Sequence, residues 1–471
     1  MKRDRRGEVI WEVCRKELLK NFQSFRFFAL FAVTVFLFAI SPFLLSTEYH
    51  DKLQEYNQKQ EQFDPRGIFV GVHRRPNPLS FVFEGGDEAA ANGFGICLDL
   101  GIMPHDGDQY GVNITFPGFQ TIDWIFIIKV LFSLFAIILT FDAISGEKEL
   151  GTLALMCSNS ISRASIPMGK YLGALITVAI PAAAGMLISM IIVGFLGSFS
   201  MTMEVVSRLA LVVLTSLIYI SLFALMGITV SSIVHRSSLS LLLSLSLWIV
   251  LVIVIPNLGG IIAEGVSDVL PEHEFFRRHQ ETFGQPFAEW KKISEKKSFE
   301  TTEEASEELS RILNESADRK MKVLDSYRNT IYINEDLAIN ISRISPASAL
   351  EFSVAEIVDA GAMSQRRFYR AVRNYYDLIE GYTLEKTGKV RKHISFPPMF
   401  PAKVRGETVR VGTPPRVQLP EDVSDFPALP EYSLSVSESV MSGLWNIVLL
   451  AIWNVILLMV AHVLFLRYDV R

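Results

Sequence analysis

Apolar and polar positions in this chain separate into long uncharged runs and polar stretches between them. Residues 27–45, FFALFAVTVFLFAISPFLL, carry no charge over 19 positions, and a helix of that length, at ~1.5 Å per residue, covers nearly the ~30 Å of bilayer hydrocarbon. Further apolar runs occupy 122–141, 171–196, 208–232, 239–256 and 440–466, each long enough to cross alone or with some tilt. A buried core helix would account for any one of these. Six in one chain, four of them between 122 and 256, predict six membrane spans. Only Val234, His235, Arg236, Ser237 and Ser238 separate the fourth from the fifth, which predicts a tight turn there. A signal peptide competes for the first run, but its 26-residue charged leader is long and no small-x-small cleavage pattern follows promptly, so a retained span is expected.

The polar parts have their own periodicities. Ile10, Val13, Cys14, Glu17 and Leu18 give the leader an amphipathic helical pattern, expected to lie along the inner membrane surface with its basic residues near headgroups. After the first span, DKLQEYNQKQEQ continues the helix, and IFVGV, LSFVF and YGVNITF read as short strands among Gly-rich and Asn-rich turns. From 272 to 380 the pattern is helical. Thr301 and Glu304 form a capping box, and Leu309, Ile312, Leu313, Met321 and Leu324 lie on one face; Glu307/Arg311, Glu315/Arg319 and Asp318/Lys322 are candidate i,i+4 pairs opposite. Between 396 and 430 the chain is Pro-rich, which predicts an extended strap leading to the sixth span.

Charge fixes the expected orientation. Lys2, Arg3, Arg5, Arg6, Arg15, Lys16, Lys20 and Arg26 precede the first span; Lys148, Arg163 and Lys170 follow the second; Arg236 lies in the turn after the fourth; Arg467 and Arg471 end the chain. The loop 197–207 has no Lys or Arg. By the positive-inside rule both termini face the cytoplasm. The expected organisation is an amphipathic leader helix (1–26), spans at 27–46, 121–143, 169–196, 206–233, 238–257 and 438–466, a cytoplasmic loop at 144–168, a cytoplasmic tail at 467–471, and extracytoplasmic segments at 47–120 (α+β) and 258–437 (helical, then the strap). The expected fold class is a polytopic α-helical membrane protein of six transmembrane helices with an α+β extracytoplasmic domain.

Composition narrows the function classes. With 50% hydrophobic residues and 20% charged, the chain is neither disordered nor collagenous. A net charge of −5 supplies no basic field, so nucleic acid is not an expected partner. Cys14, Cys97 and Cys157 are too few for a disulfide framework or a four-Cys zinc site, and the topology puts Cys97 across the membrane from the other two.

The most informative stretch follows the second span: Phe141-Asp142-Ala143-Ile144-Ser145-Gly146-Glu147-Lys148-Glu149-Leu150-Gly151-Thr152-Leu153-Ala154-Leu155-Met156. Ser145 is expected to cap a helix with Glu147 and Glu149 in its first turn, and Leu150, Leu153, Ala154 and Cys157 recur at helical spacing. A short amphipathic helix at the cytoplasmic face is the expected product. Gly146-Glu147-Lys148-Glu149, Gly151-Thr152-Leu153, then Ser162-Arg163, then Gly169-Lys170-Tyr171-Leu172-Gly173 resemble the motif of the ABC-2 type transporter permeases, the membrane subunits of type V ABC exporters. Leu150, Ala154 and Ser160 depart from that motif, where Arg, Glu and Pro are commoner. Around Arg343-Ile344-Ser345-Pro346-Ala347 the chain looks like a subgroup with a large extracytoplasmic domain between the fifth and sixth spans.

The resemblance implies a permease that couples ATP hydrolysis on a separate subunit to outward movement of a substrate. It marks Gly146, Glu147, Lys148, Glu149, Gly151, Thr152 and Leu153 as a coupling helix seated on that ATPase. Its implied partners are two ABC ATPase subunits, a second permease in a homo- or heterodimer, the lipid bilayer of a prokaryotic plasma membrane, and a periplasmic or surface partner for the outer domain. The chain has no GxxxxGK[ST] phosphate cradle, so it is not itself expected to be an enzyme, and ATP and Mg belong to the partner. The alternative is a mechanotransmitter that remodels an outer partner without moving a substrate.

Other residues have bland roles beside the functional ones. Lys129, about two turns into the second span, suits a pathway or a pairing role, or snorkels to the interface. Asn446, Asn454 and His462 in the sixth span suit helix pairing better than substrate binding. Pro181 with Gly185 suggests a kink in the third span, and a hinge there. His273, Glu274 and His279 are the most metal-like cluster, but i and i+6 point apart on a helix, and surface polarity is expected.

Overall fold

The computed structural model describes residues 4–67, 69–84, 92–98, 101–104, 121–153, 165–197, 202–266, 269–388, 392, 399–414 and 419–466. The run YGVNITF, the positions Ala154 to Arg163 and the basic tail lie outside the described residues. Among the described residues six helices are long and apolar enough to cross a membrane, as the hydrophobic pattern predicts.

Helix α1 (Asp4–Phe22) ends at Gln23, and Ser24 restarts the chain by accepting the Phe27 amide at 3.3 Å. The first span is α2 (Phe25–Glu61), whose polar last turns continue beyond its apolar part. The second span is one rod in three pieces: α3 (Trp124–Phe126), a π-helical segment (Ile127–Phe132) and α4 (Ser133–Thr140). A turn over 141–144 leads into α5 (Ser145–Glu149). The third and fourth spans are α6 (Ser165–Leu196) and α7 (Met203–Ile233), the latter capped by Thr202 on the Val205 amide at 3.3 Å. The fifth comprises α8 (Ser237–Ile249), a second π segment (Val250–Val254) and α9 (Ile255–Val266).

Beyond the fifth span come α10 (Glu272–Lys296), strand β4 described below, α11 (Thr302–Ser342), α12 (Pro346–Ile357) and α13 (Ala362–Thr387). The sixth span is α14 (Val436–Leu466). Two small sheets decorate this lobe. One is antiparallel, β1 (Val70–His73), β2 (Gly93–Cys97) and β3 (Gly101–Pro104), in that order. In the other, β4 (Ser298–Phe299) lies parallel to β5 (Phe400–Val404), which pairs antiparallel with β6 (Glu407–Val411). Phe94, Phe368, Tyr369, Tyr375 and Tyr376 fill the core between the first sheet and α13.

Several local expectations are corrected. LSFVF is not a strand: Leu79–Phe83 is a buried turn whose Leu79, Phe81 and Val82 pack into the same core as the spans, while GFGIC, read as part of a turn, forms β2. Its side chains are buried on both faces, so no alternation marked it. The Pro-rich strap is interrupted by the β5–β6 hairpin. On α11, Arg311 pairs with Glu308 and Glu315, Arg319 with Glu289, and Asp318 with Lys392, so tertiary neighbours outcompete two of the expected i,i+4 partners. The capping box forms, with Thr301 accepting the Glu304 amide at 3.1 Å and Glu304 accepting that of Glu300 at 2.9 Å.

The leader does not lie apart from the bundle. It packs along the first turns of α6, where a Cβ on Gly169 would stand 2.6 Å from Val13 Cβ and one on Gly173 2.8 Å from Glu17 Cβ. Two glycines four apart make a groove for another backbone. Gly185 serves the same purpose deeper in the third span, since a Cβ there would meet Phe38 and Thr34 at 2.7 and 2.8 Å. Pro181 lies within the unbroken α6, and the site is a close helix contact.

Candidate functional site

At the leader end of the bundle the second span runs out through a turn that Arg26 holds, donating to Ile138 O at 3.1 Å and to Asp142 Oδ2 at 3.4 Å. The fourth span then reaches under the turn. Ser231 Oγ accepts the Ile144 and Ser145 amides at 3.0 and 2.8 Å, satisfying two donors that a new helix start leaves free. This corrects the expected role of Ser145: its hydroxyl donates back to Phe141 O at 2.9 Å and does not cap α5. Ser231 does that work from another helix.

The three charged residues of α5 point to different neighbours. Lys148 Nζ donates to Ser232 O at 2.5 Å and Val234 O at 3.2 Å, placing a cation on the carbonyl end of α7. Glu149 Oε2 accepts the Ser237 amide at 3.1 Å and its hydroxyl at 2.9 Å, placing an anion on the amide end of α8. One residue apart, they staple the turn between the fourth and fifth spans with the sign each helix end prefers. Glu147 faces the other way, accepting from Thr152 Oγ1 and from Lys170 Nζ at 3.4 Å. Lys170 in turn pairs with Glu17 of the leader at 2.7 Å. The five residues of α5 thereby join the leader and the third, fourth and fifth spans.

The amphipathic helix expected through Cys157 is broken. The helix ends at Glu149, and Gly151 takes φ +73°, a left-handed turn that a side chain disfavours. Leu150 is left 79% exposed at the tip, whereas Leu153 turns back among Ile144, Ile166, Ile228 and Phe465. Gly146 sits against the fifth span, its Cβ direction 3.6 Å from Ser237 Oγ. Gly146, Glu147, Lys148, Glu149, Gly151, Thr152 and Leu153 are thus together, with the Leu150 edge facing outward.

Lys129, Asn446 and Asn454 are not brought into one site. Lys129 Nζ meets Glu351 Oε2 of α12 at 2.9 Å, and both side chains are mostly buried. Helix α12 is only 12 residues long and lies among the lobe ends of the spans, burying Ala347, Ala349, Leu350, Val354 and Ile357 in their common core. Arg208, near the start of α7, locks it there by donating to Ile357 O and Leu434 O, each at 2.5 Å, and to Ser439 Oγ at 2.9 Å. Asn454 joins helices: Ser221 Oγ donates to its Oδ1 at 2.7 Å, its Nδ2 donates to Ile218 O at 3.0 Å, and Tyr171 shares the Ser221 hydroxyl at 2.6 Å. Asn446 is buried in the sixth span, and its Oδ1 has no hydrogen-bond partner among the described residues.

The metal-like cluster is spoken for. Glu274 pairs with Arg277 and Arg278, and the His279 ring stacks on Phe275 at 5.5 Å. Among the described residues no three candidate ligands converge. Sequence reasoning missed Glu17, Ser231, Glu351 and Arg208. Of these only Arg208 left a signal, as a charge at the edge of an otherwise apolar run.

Comparison with protein families matches residues 11–470 to the model described as ABC-2 family transporter protein. No curated protein matches the chain.

Proposed function

The chain belongs to the ABC-2 transporter family, as a multi-pass transmembrane permease, and from that premise we propose that it is the membrane half of an exporter powered by a separate ATPase. In this reading residues 145–153 are the coupling element and dock on the ATPase, both termini lie in the cytoplasm of a prokaryotic cell, and the lobe of α10, α11 and α13 is extracytoplasmic. Two ATPase subunits, carrying ATP and Mg, would serve this permease and a second copy or sister chain. Nucleotide-driven closure would push α5 and move the spans it is stapled to, driving substrate outward.

The observation that carries the reading is the mismatch within α5. Every charged side chain of α5 is bonded to a neighbouring element of the same chain, yet Leu150, just past its end, is 79% exposed. A rigidly held apolar tip is suited to receive force from a partner; a loose loop would dissipate it.

The test is co-purification of the ATPase subunit with the full chain carrying Leu150→Asp. Leu150 has little to lose within its own chain, so the variant should elute as the wild type does in detergent while retaining at least ~10-fold less ATPase, the scale of a central apolar contact. Undiminished retention and hydrolysis would remove residues 145–153 from the interface.

A second reading, in which the same ATPase contact does mechanical work on an outer partner, is favoured by α12, which ties the lobe into the spans. ATP-dependent flux into sealed vesicles would discard it.

A further inference from the structure

The second span leads into α5 at one end and carries Lys129 near the other, 11 residues, or ~17 Å of helix, before its last residue Thr140. Between them lies the turn over 141–144, in which Phe141 N donates to Ile137 O at 2.8 Å, Ala143 N to Thr140 O at 3.1 Å and Gly146 N to Asp142 O at 2.9 Å, while the Ile144 and Ser145 amides are held by Ser231 of the fourth span, so two helices meet at a braced turn. The segment can therefore transmit displacement along its axis.

At the Lys129 end the span is locally π-helical, and π segments of this kind often mark functional positions. The wider turn offers the Lys129 carbonyl to two hydroxyls, Tyr219 at 2.9 Å and Ser133 at 2.5 Å. Trp248 of the fifth span donates to the same Ser133 hydroxyl at 2.8 Å. The fifth span has its own π segment, where Leu251 O accepts from Ser345 at the start of α12. Helix α12 is thus held by one-sided hydrogen bonds to the fourth, fifth and sixth spans, the last from Ser442 Oγ to Glu356 at 3.1 Å, and by a full ion pair to the second.

Stability alone does not call for a charge pair here. Desolvating Lys129 and Glu351 costs about as much as their attraction returns, and an apolar pair of similar volume would hold the helices as well. What a pair of charges adds is dependence on position: separated inside the bundle, each becomes an uncompensated charge, so the two elements must shift together. We propose that Lys129 and Glu351 form a pin that makes α12, and with it the flanking lobe helices α11 and α13, follow the second span when the coupling turn is pushed. The proposal rests on the coupling role argued above for residues 145–153.

The experiment is hydrogen–deuterium exchange on the permease–ATPase complex in lipid nanodiscs, with and without Mg-ATP and vanadate, reading segments 141–153 and 346–357. In the wild type both segments should change exchange on trapping. In the Lys129→Met/Glu351→Leu double variant, which removes both members of the pair together, the ATPase should still co-purify and 141–153 should still respond, while the response of 346–357 is lost. The exchanged pair, Lys129→Glu with Glu351→Lys, should restore it. A response at 346–357 that survives in the neutral double variant, or that never occurs in a wild type whose 141–153 does respond, overturns the pin and leaves the coupling role standing. Silence of both segments in the wild type overturns the coupling role and the pin with it.

Discussion

Two short helices, α5 at the leader end and α12 at the lobe end, are each wedged among the spans, and they are built in opposite ways. Helix α5 uses its charges on helix ends and a shared lysine around it and leaves an apolar tip in the open. Helix α12 is buried nearly throughout, and the charges that hold it, Arg208 and the Lys129–Glu351 pair, are shielded from water. Charge pairs open to solvent contribute little, whereas breaking a buried one is expensive. The contrast separates stability from reception of a partner: the lobe end resists change, and the leader end presents a surface.

The largest effect should come from Arg208. Its guanidinium fills the carbonyl end of α12 and the chain before α14, so Arg208→Met strips donors from Ile357 O, Leu434 O and Ser439 Oγ together. Each buried acceptor left unmet costs about 1–3 kcal/mol, and the sum should reach about 3 kcal/mol or more. Thermal unfolding of the purified chain should show the loss. A melting temperature close to wild type would mean that α12 is held by packing alone, and the contrast between the two ends would collapse.

Next is Lys170, the least exposed charge of the leader end, which sits between Glu17 and Glu147. Lys170→Met leaves two carboxylates facing one another at a partly wet site, for which about 2 kcal/mol is expected, below the 3–5 kcal/mol of a fully buried break. Lys170→Arg should recover most of it. Because α1 is fastened to α6 partly through this lysine, the Met variant should also become more susceptible to proteolysis within residues 4–22. If Lys170→Met destabilises as much as Arg208→Met, the two ends are equally load-carrying and differ only in exposure.

What could be read from the sequence follows from the same contrast. The six spans are visible because hydrocarbon demands ~20 apolar residues in a row, a signal that needs no tertiary context. The residues of the turn at 145–153 are visible as a motif, yet the break in its helix is not: the pattern through Leu153 is helical, and only the left-handed conformation at Gly151 shows that α5 ends there before helical backbone resumes at Thr152. Helix α12 escaped because 12 residues including Glu351 neither span a membrane nor look exposed, and its place in the bundle depends on partners 149 and 222 positions away in sequence. Lys129 was conspicuous as a charge inside an apolar run; its partner was one Glu among many. LSFVF failed as a strand because five residues with a single polar position, Ser80, are too few to establish a period.

The smallest expected effect concerns Glu84, also on the lobe side, whose backbone amide donates to Asp123 at 3.2 Å. Its side chain is 2% exposed, and burial pushes its carboxyl up to about 7, against the opposing pull of Lys52 at 3.2 Å. An unfolded glutamate titrates at about 4.3, so between that value and about 7 the folded chain holds a proton that the unfolded chain has released. The resulting stability is fully present below the lower value and is lost as pH rises through the upper one. Melting measured at about pH 5 and about pH 8 should show lower stability at the higher pH, the pull of Lys52 being already contained in the value of about 7. Glu84→Gln removes the titrating group and should flatten that part of the profile. An unchanged slope in the variant would mean that Lys52 keeps Glu84 ionised throughout, making it one more paired charge of the kind that ties α5 at the opposite end.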